Sequence, residues 1–287
     1  MNSFKNNTIN IYGTIGKQWL TNLPKLLKKI EAEYGLVDLK PINNLSYNYV
    51  LSGFQNDQPI ILKLGLDIDG IKREAAALHA FSRYGSAKVL AENDGILLLE
   101  RAIPGTSLKS YFPSREDEAI QITCEVIKKL HQARPESEKF PHIKDWLKIL
   151  DKEWKIPIHY LKKARILRDQ LLRTSEKPVL LHGDLHHDNI LKNNTDWLVI
   201  DPKGVIGEPI YEVAAFIRNP IPELLTSQDV INIISHRINI FDKTLNLNHE
   251  RIKQWCFVQA ILGWIWALED GCDESYFKRL VEVFYKL

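Results

Sequence analysis

The chain has 287 residues, 45% of them hydrophobic and 26% charged, with 38 basic against 36 acidic side chains and a formal net charge of +2. These values exclude a disordered chain, a fibre and a small disulfide-stapled module, and a charge balance this even creates no field that would gather nucleic acid or anionic lipid. Three cysteines, Cys124, Cys256 and Cys272, are widely spaced with no C-x-x-C, which suits a reducing compartment. The opening MNSFKNNTINIYG lacks the apolar core of a signal peptide. The longest apolar stretch, Trp255 to Leu268, contains Gln259 and is too short to span a bilayer. A cytoplasmic globular protein of one large domain or two lobes is expected.

In chain order, Lys40 to Val50 and Pro59 to Leu64 are β-prone runs, separated by the turn-forming stretch Ser52 to Asp57. Ile71, Ala75, Leu78 and Phe81 recur at helical spacing and predict a helix over 71–82. Ala87 to Leu90 and Gly95 to Glu100 read as strands, the second nearly all apolar and so buried. Pro104-Gly105-Thr106 breaks the chain. Helical periodicity then predicts helices over roughly 114–133, 144–153, 158–173, 210–218, 227–242, 249–270 and 274–286. One interruption, Pro178 to Asp201, holds VLLHGDLHHDNIL and WLVIDP, two short strands around a polar loop. The fold class is α+β: a small, mainly β N-terminal lobe over 1–100 and a larger helical lobe over 101–287.

Familiar nucleotide motifs are missing. Gly13-Thr14-Ile15-Gly16-Lys17-Gln18 has only two residues between its glycines and no Ser or Thr after Lys17, so it is not a P-loop. The sequence contains no G-x-G-x-x-G and no G-x-S-x-G.

The segment that carries chemistry is Leu180 to Leu191, LLHGDLHHDNIL, followed by WLVIDPKG from Trp197 to Gly204. Asp184 and Asn189 are five apart, and Asp201 lies twelve further on at the end of an apolar strand. A hydroxyl attacking a γ-phosphoryl group needs a carboxylate to orient it and accept its proton, and magnesium needs hard oxygen ligands such as a carboxylate and an amide. Two other readings compete. His182, His186 and His187 could hold zinc, although Gly183 and the flanking strands argue against the helix such a site would use. Asp184 and Asn189 could also be plain turn residues. The phosphotransfer reading asks for a lysine on an upstream strand and a glutamate on the next helix. Lys63 in IILKL and Glu74 in REAAAL, eleven residues apart, supply both.

HGDLHHDNIL with IDPKG resembles the signature of the aminoglycoside phosphotransferase and choline kinase group. HGDLHHDN, IDPKGxxGE and the late LEDG are most similar to streptomycin-type aminoglycoside/hydroxyurea resistance kinases, a resemblance that runs from about Lys40 to Asp273. It implies a bilobal protein-kinase-like fold with ATP bound between the lobes. It implies Asp184 as catalytic base, Asn189 and Asp201 as Mg2+ ligands, and Lys63, held by Glu74, on the α- and β-phosphates. Glu100 to Ala102 would meet adenine through their backbone, and the turn Asn44 to Asn48, with Ser46, would stand in for the glycine-rich loop. Lys203, in Asp201-Pro202-Lys203-Gly204, is either a neutraliser of phosphate charge or an exposed lysine. Pro202 stiffens the segment after the metal ligand, so no large flip of it is expected. Gly207 to Glu212 starts a helix almost at once and leaves no platform for a peptide, which favours a small-molecule acceptor.

Glu269-Asp270-Gly271-Cys272-Asp273-Glu274 holds four carboxylates and no base, and negative charge at a helix C-terminus opposes its dipole. Glu269 and Asp270 are therefore candidates to hold a cationic substrate. The bland reading is that Gly271 ends one helix while Asp273 and Glu274 open the next. The expected activity is ATP- and magnesium-dependent O-phosphorylation of a streptomycin-type aminoglycoside. The alternatives are a metabolic kinase acting on choline, a sugar or an amino alcohol, and a nucleotide-binding pseudokinase. No nucleic acid or membrane partner is expected.

Overall fold

The computed structural model describes residues 2–43, 45, 47–134, 139–175 and 177–287, which form two compact units. The first runs to His79 and takes in Ala87–Ala102; the second holds Ala80–Ser86 and Ile103–Leu287.

The first unit begins with a helix, α1 (Asn2–Tyr34), interrupted at Gly13, where φ is 56°. Then come β1 (Leu36–Pro41), β2 (Tyr49–Gln55), β3 (Gln58–Leu64), α2 (Ile68–Phe81), β4 (Val89–Asn93) and β5 (Ile96–Glu100). The strands form one antiparallel sheet in the order β1-β2-β3-β5-β4. Asn56 and Asp57, both at positive φ (49° and 61°), make the two-residue turn between β2 and β3. Such a turn matches the twist of the strands it joins. Leu51, Ile60, Leu62, Leu64 and Leu98 from the sheet bury against Phe4, Leu23 and Ile30 of α1. Each fully buried side chain of this kind contributes roughly 1.5–3 kcal/mol.

Two expectations are corrected here. The N-terminal segment, read as strand-rich, opens with a long helix that joins the sheet's unit; Leu20, Leu23, Leu27 and Ile30 repeat at helical spacing and pack on the sheet, a signal diluted in sequence by Gly13, Gly16 and Pro24. The strand expected over 40–50 is instead the end of β1, at Pro41, and the start of β2, at Tyr49.

The second unit contains β6 (Pro104–Ser107), α3 (Glu116–Leu130), α4 (Ile143–Leu147), α5 (Ile158–Arg173), β7 (Val179–Leu181), β8 (Ile190–Asn193), β9 (Asp196–Val199) and β10 (Val205–Gly207). Helices α6 (Val213–Ile217), α7 (Glu223–Thr226), α8 (Val230–Leu245), α9 (His249–Glu269) and α10 (Ser275–Lys286) complete it. The predicted helix over 144–153 is α4 followed by a 3₁₀ turn, and that over 210–218 is a 3₁₀ turn leading into α6. Pro104 to Thr106, expected as a break, forms β6, which pairs with β8. Helix α9 is buried on nearly every side, with Trp255, Phe257 and Trp264 in the core. No helix among the described residues is long and apolar enough to cross a membrane.

Candidate active site

The polar loop of the sequence lies between two strand pairs. Strand β7 pairs with β10, and β8 pairs with β9, so the loop 182–189 and the loop 200–204 leave neighbouring strands side by side. Backbone bonds tie them together. Lys203 N–H donates to His182 O at 2.8 Å, and Ile200 N–H donates to Asn189 O at 3.1 Å. This brings Asp184, Asn189 and Asp201 to one end of the β7–β10 and β8–β9 pairs.

His182 is fully buried and serves the backbone. Asp184 N–H donates to its Nδ1 at 3.3 Å, which leaves Nε2 to carry the proton and donate to Ile200 O at 2.9 Å. Burial pushes its pKa below the ordinary histidine value, so the ring is neutral at pH 7. At His186, Nδ1 accepts from Asp188 N–H at 3.3 Å, while Nε2 lies 3.3 Å from Asn189 Nδ2 and 3.7 Å from Asp184 Oδ2. His187 is buried and stacked on Phe216, with ring centroids 3.8 Å apart. His182 and His186 thus bond within the loop while His187 only stacks, and no cluster of three His, Cys, Asp or Glu side chains among the described residues is set to hold a metal. The zinc reading fails on this geometry. Asn189 Nδ2 donates to Asp184 O at 2.9 Å, a bond within the loop that engages its amide NH2 and leaves Oδ1 as its acceptor oxygen.

The Asp184 carboxylate is 26% exposed, and its Oδ1 accepts from Arg218 at 3.0 Å. Burial works to raise its pKa, but His186, Arg218, Lys203 and His182 outweigh it and hold the carboxyl below its usual range. Asp201 sits at φ 58°, a left-handed conformation that Asp tolerates better than most side chains, and its Oδ2 accepts from Lys203 Nζ at 3.0 Å. Lys203 is therefore a partner of Asp201, itself half-exposed.

Sequence reasoning missed the supports beneath these residues. Both oxygens of the buried Glu212 accept backbone N–H groups of the loop, from His182 at 2.6 Å and Gly183 at 2.9 Å. Arg218, at the end of α6, reaches Asp184, and its carbonyl accepts from Tyr276 Oη at 2.7 Å. Glu208 is buried against Arg251 Nη2 at 2.7 Å and Trp255 Nε1. The available signal was the wholly apolar Val213 to Ile217 with a charge at each end, Glu212 and Arg218; a buried helix keeps flanking charges only when they have partners.

In the first unit, Lys63 Nζ meets Glu74 Oε2 at 2.5 Å, with both side chains less than a tenth exposed. Strand β3 and helix α2 thus bring together the pair expected from sequence. Glu100 closes β5 with its Oε1 accepting from Lys88 N–H at 2.9 Å, and Ala102 is buried. Ser46 lies outside the described residues. Glu269 is exposed at the end of α9, with Asp270 half-buried beside it. Gly271 ends the helix at φ 62°, and Asp273 accepts from Ser275 N–H at 2.9 Å at the start of α10, as the helix-boundary reading requires.

A sheet-and-helix unit followed by a mostly helical unit is the bilobal α+β architecture of protein-kinase-like folds. Residues 38–271 match the family described as aminoglycoside/hydroxyurea antibiotic resistance kinase, and the chain belongs to it. It is a phosphotransferase with an alcohol group as acceptor. The chain is 29% identical over 237 residues to a streptomycin 3''-kinase of Klebsiella pneumoniae, covering 78% of this chain and 85% of that one. It is 22% identical over 272 residues to a streptomycin 6-kinase of Streptomyces glaucescens, covering 91% and 88%. In fold it is similar to a thermostable mutant of aminoglycoside phosphotransferase APH(4)-Ia in a ternary complex with ADP and hygromycin B (TM-score 0.69, 15% identity, 90% of this chain and 97% of that one). It is equally similar to the choline kinase LicA from Streptococcus pneumoniae (TM-score 0.70, 15% identity, 92% and 99%).

Proposed function

We propose that the protein transfers the γ-phosphoryl group of ATP, with magnesium, to a hydroxyl of a streptomycin-type aminoglycoside. The observation that carries this reading is Asp184, a partly exposed carboxylate held in its ionised form, with the Asn189 amide bonded to the Asp184 backbone carbonyl and Asp201 on the adjoining loop. Both of the matched curated relatives described above are named streptomycin kinases, and their names give different hydroxyls, so the position phosphorylated here is to be read from the product.

Asp184 accepts the proton of the acceptor hydroxyl as that oxygen bonds to the γ-phosphorus; the bond from phosphorus to the β,γ-bridging oxygen breaks and ADP leaves with the electron pair. Asn189 Oδ1 and Asp201 fit a magnesium ion: both are hard oxygens, the His182 and His186 rings are bonded within the loop, and two protein ligands suit an ion that keeps waters and phosphate oxygens. Bound there, magnesium would supply positive charge to the β- and γ-phosphates. Lys63, held by Glu74, contacts the α- and β-phosphates; Lys203 adds charge near Asp201; the backbone of Glu100 to Ala102 meets adenine. Glu269 and Asp270 attract the cationic acceptor. Catalysis in this class is positioning and electrostatics, which is why the supports of the loop matter as much as the base.

The test is ADP release by purified protein with magnesium, across streptomycin, other aminoglycosides, choline and simple sugars, with Asp184→Asn as control. Streptomycin-dependent turnover that falls roughly 10²-fold or more in the variant supports the reading. Turnover with choline or a sugar alone keeps the kinase and discards the antibiotic. ATP binding with no transfer to any acceptor means a pseudokinase. Glu269→Gln with Asp270→Asn should raise the acceptor's KM and weaken its salt dependence; no change in either removes them from the acceptor site.

A further inference from the structure

One member of an aromatic pair, Trp146, lies directly against the loop that carries Asp184. Helix α4 is fixed by a capping box, in which His142 Nδ1 accepts from Lys144 N–H at 3.1 Å and Asp145 accepts from His142 N–H at 3.2 Å. The preceding Pro141 carbonyl accepts from Ile206 N–H at 2.8 Å, which ties this helix to β10. Trp146 is thereby held beside Gly183, so closely that a Cβ there would stand 3.1 Å from its Cη2. Gly183 also has φ 82°, and both facts call for glycine at that position. The next residue is Asp184.

The partner of Trp146 is Trp266. Their ring centroids are 6.0 Å apart and their planes meet at 79°, an edge-to-face corner. Trp266 is 39% exposed on a helix whose other two tryptophans, Trp255 and Trp264, are buried to within 2%. Burying its ring in the core, as theirs are, would have been favourable; instead it is left partly open to water against Trp146, the ring that abuts Gly183. Glu269 and Asp270 follow Trp266 by three and four positions, the spacing that puts side chains on one helix face. No basic residue occupies that last turn. An aromatic face next to carboxylates attracts planar, weakly hydrated cations more than ammonium, and guanidinium most of all.

We infer that the Trp146–Trp266 corner is a cation subsite for the acceptor, taking a guanidinium group of an aminocyclitol and so setting the hydroxyl of the same molecule at Asp184. The inference rests on the phosphotransfer reading for its purpose but on the aromatic pair for its binding. It also gives each tryptophan a separate role. Trp266 supplies an exposed face to the cation, while Trp146 connects that face to the loop and fixes its distance from the base.

Isothermal calorimetry with streptomycin tests the subsite without requiring turnover, on the full chain and on Trp266→Ala, Trp266→Phe and Trp146→Phe. Trp266 is exposed, so its replacement leaves the core intact, and a thermal melt of each variant confirms folding. The expected result is a Kd at least roughly tenfold weaker in Trp266→Ala, the size of change that follows loss of an aromatic face to a partly desolvated cation, with most of the affinity recovered in Trp266→Phe. ADP release with streptomycin is measured on the same proteins. Tryptophan-dependent binding without turnover keeps the subsite and discards phosphotransfer to that acceptor. Turnover with a Kd unchanged in Trp266→Ala and Trp146→Phe overturns the subsite and leaves the kinase standing. Absence of streptomycin binding to the wild-type chain overturns the subsite as well.

Discussion

Arg218 donates to Oδ1 of Asp184 across 3.0 Å, from the far end of the apolar helix α6 that Glu212 precedes. The guanidinium both orients the carboxylate and, with His186, helps keep it ionised against the effect of burial. Arg218→Ala should lower kcat about 10²-fold, the scale of loss when a reacting group is misplaced by an ångström. It should also move the acid limb of the pH–rate profile upward, because one of the cations holding the Asp184 pKa down is gone. Arg218→Lys should recover little, since an ammonium on a flexible stem does not reproduce the geometry. An acid limb that stays where it is in Arg218→Ala would show that the contact does not tune the base.

Glu212 uses both carboxylate oxygens on the N–H groups of His182 and Gly183. Glu212→Gln keeps the shape but replaces one acceptor by a donor, leaving a buried N–H facing an NH2 group. The expected loss is about 1–3 kcal/mol in urea unfolding, together with a fall in kcat, because the residue before Asp184 is no longer anchored. Unchanged stability and rate would show that the loop holds its shape without Glu212.

His182 and His187 are buried with pKa values lowered chiefly by that burial, His187 the more so. As pH drops below about 6.5 the unfolded chain takes up protons that the native rings refuse, so stability is lost on acidification. Each ring contributes up to about 1.4 kcal/mol per pH unit in that window. His187→Phe keeps a ring to stack on Phe216 and removes two nitrogens that have no hydrogen-bond partner among the described residues. Denaturant midpoints measured from pH 7 to pH 5 should therefore fall less steeply in this variant than in the wild type; parallel curves would refute the assignment.

Cys124 is fully buried, and burial pushes its thiol up to about 12; Cys256 is buried and raised further still, while Cys272 is exposed. Only thiolate reacts readily. At pH 8 the native protein should therefore give one thiol to Ellman's reagent, and three in guanidinium. Mass spectrometry should place the native label on Cys272. A second fast thiol would mean that the core around Cys124 or Cys256 opens easily.

Much of the fold was legible in the chain because periodicity reports burial. The apolar run Ile96 to Glu100 is the buried strand β5, and helices α5 and α9 fall within a residue of the spans their spacing predicts. Helix α1 was not legible, since Gly13, Gly16 and Pro24 interrupt a pattern that only the sheet it covers makes plain. Among the candidate site residues, Lys63 and Glu74 could be named from order and spacing, and the structure pairs them.

What the sequence alone determined was which residues are candidates for the chemistry: a carboxylate, an amide and a second carboxylate at set intervals on short strands, with a lysine and a glutamate upstream. Those are local properties, written in residue types and spacing. The environment of each group was decided by tertiary contacts between segments far apart in the chain. Arg218 reaches Asp184 across 34 positions, and Glu212 reaches His182 across 30. Trp266 meets Trp146 only because α4 and α9 pack in one unit. A carboxylate's charge state, a histidine's tautomer and the reach of an aromatic face depend on distance and burial, and neither exists until the chain has folded.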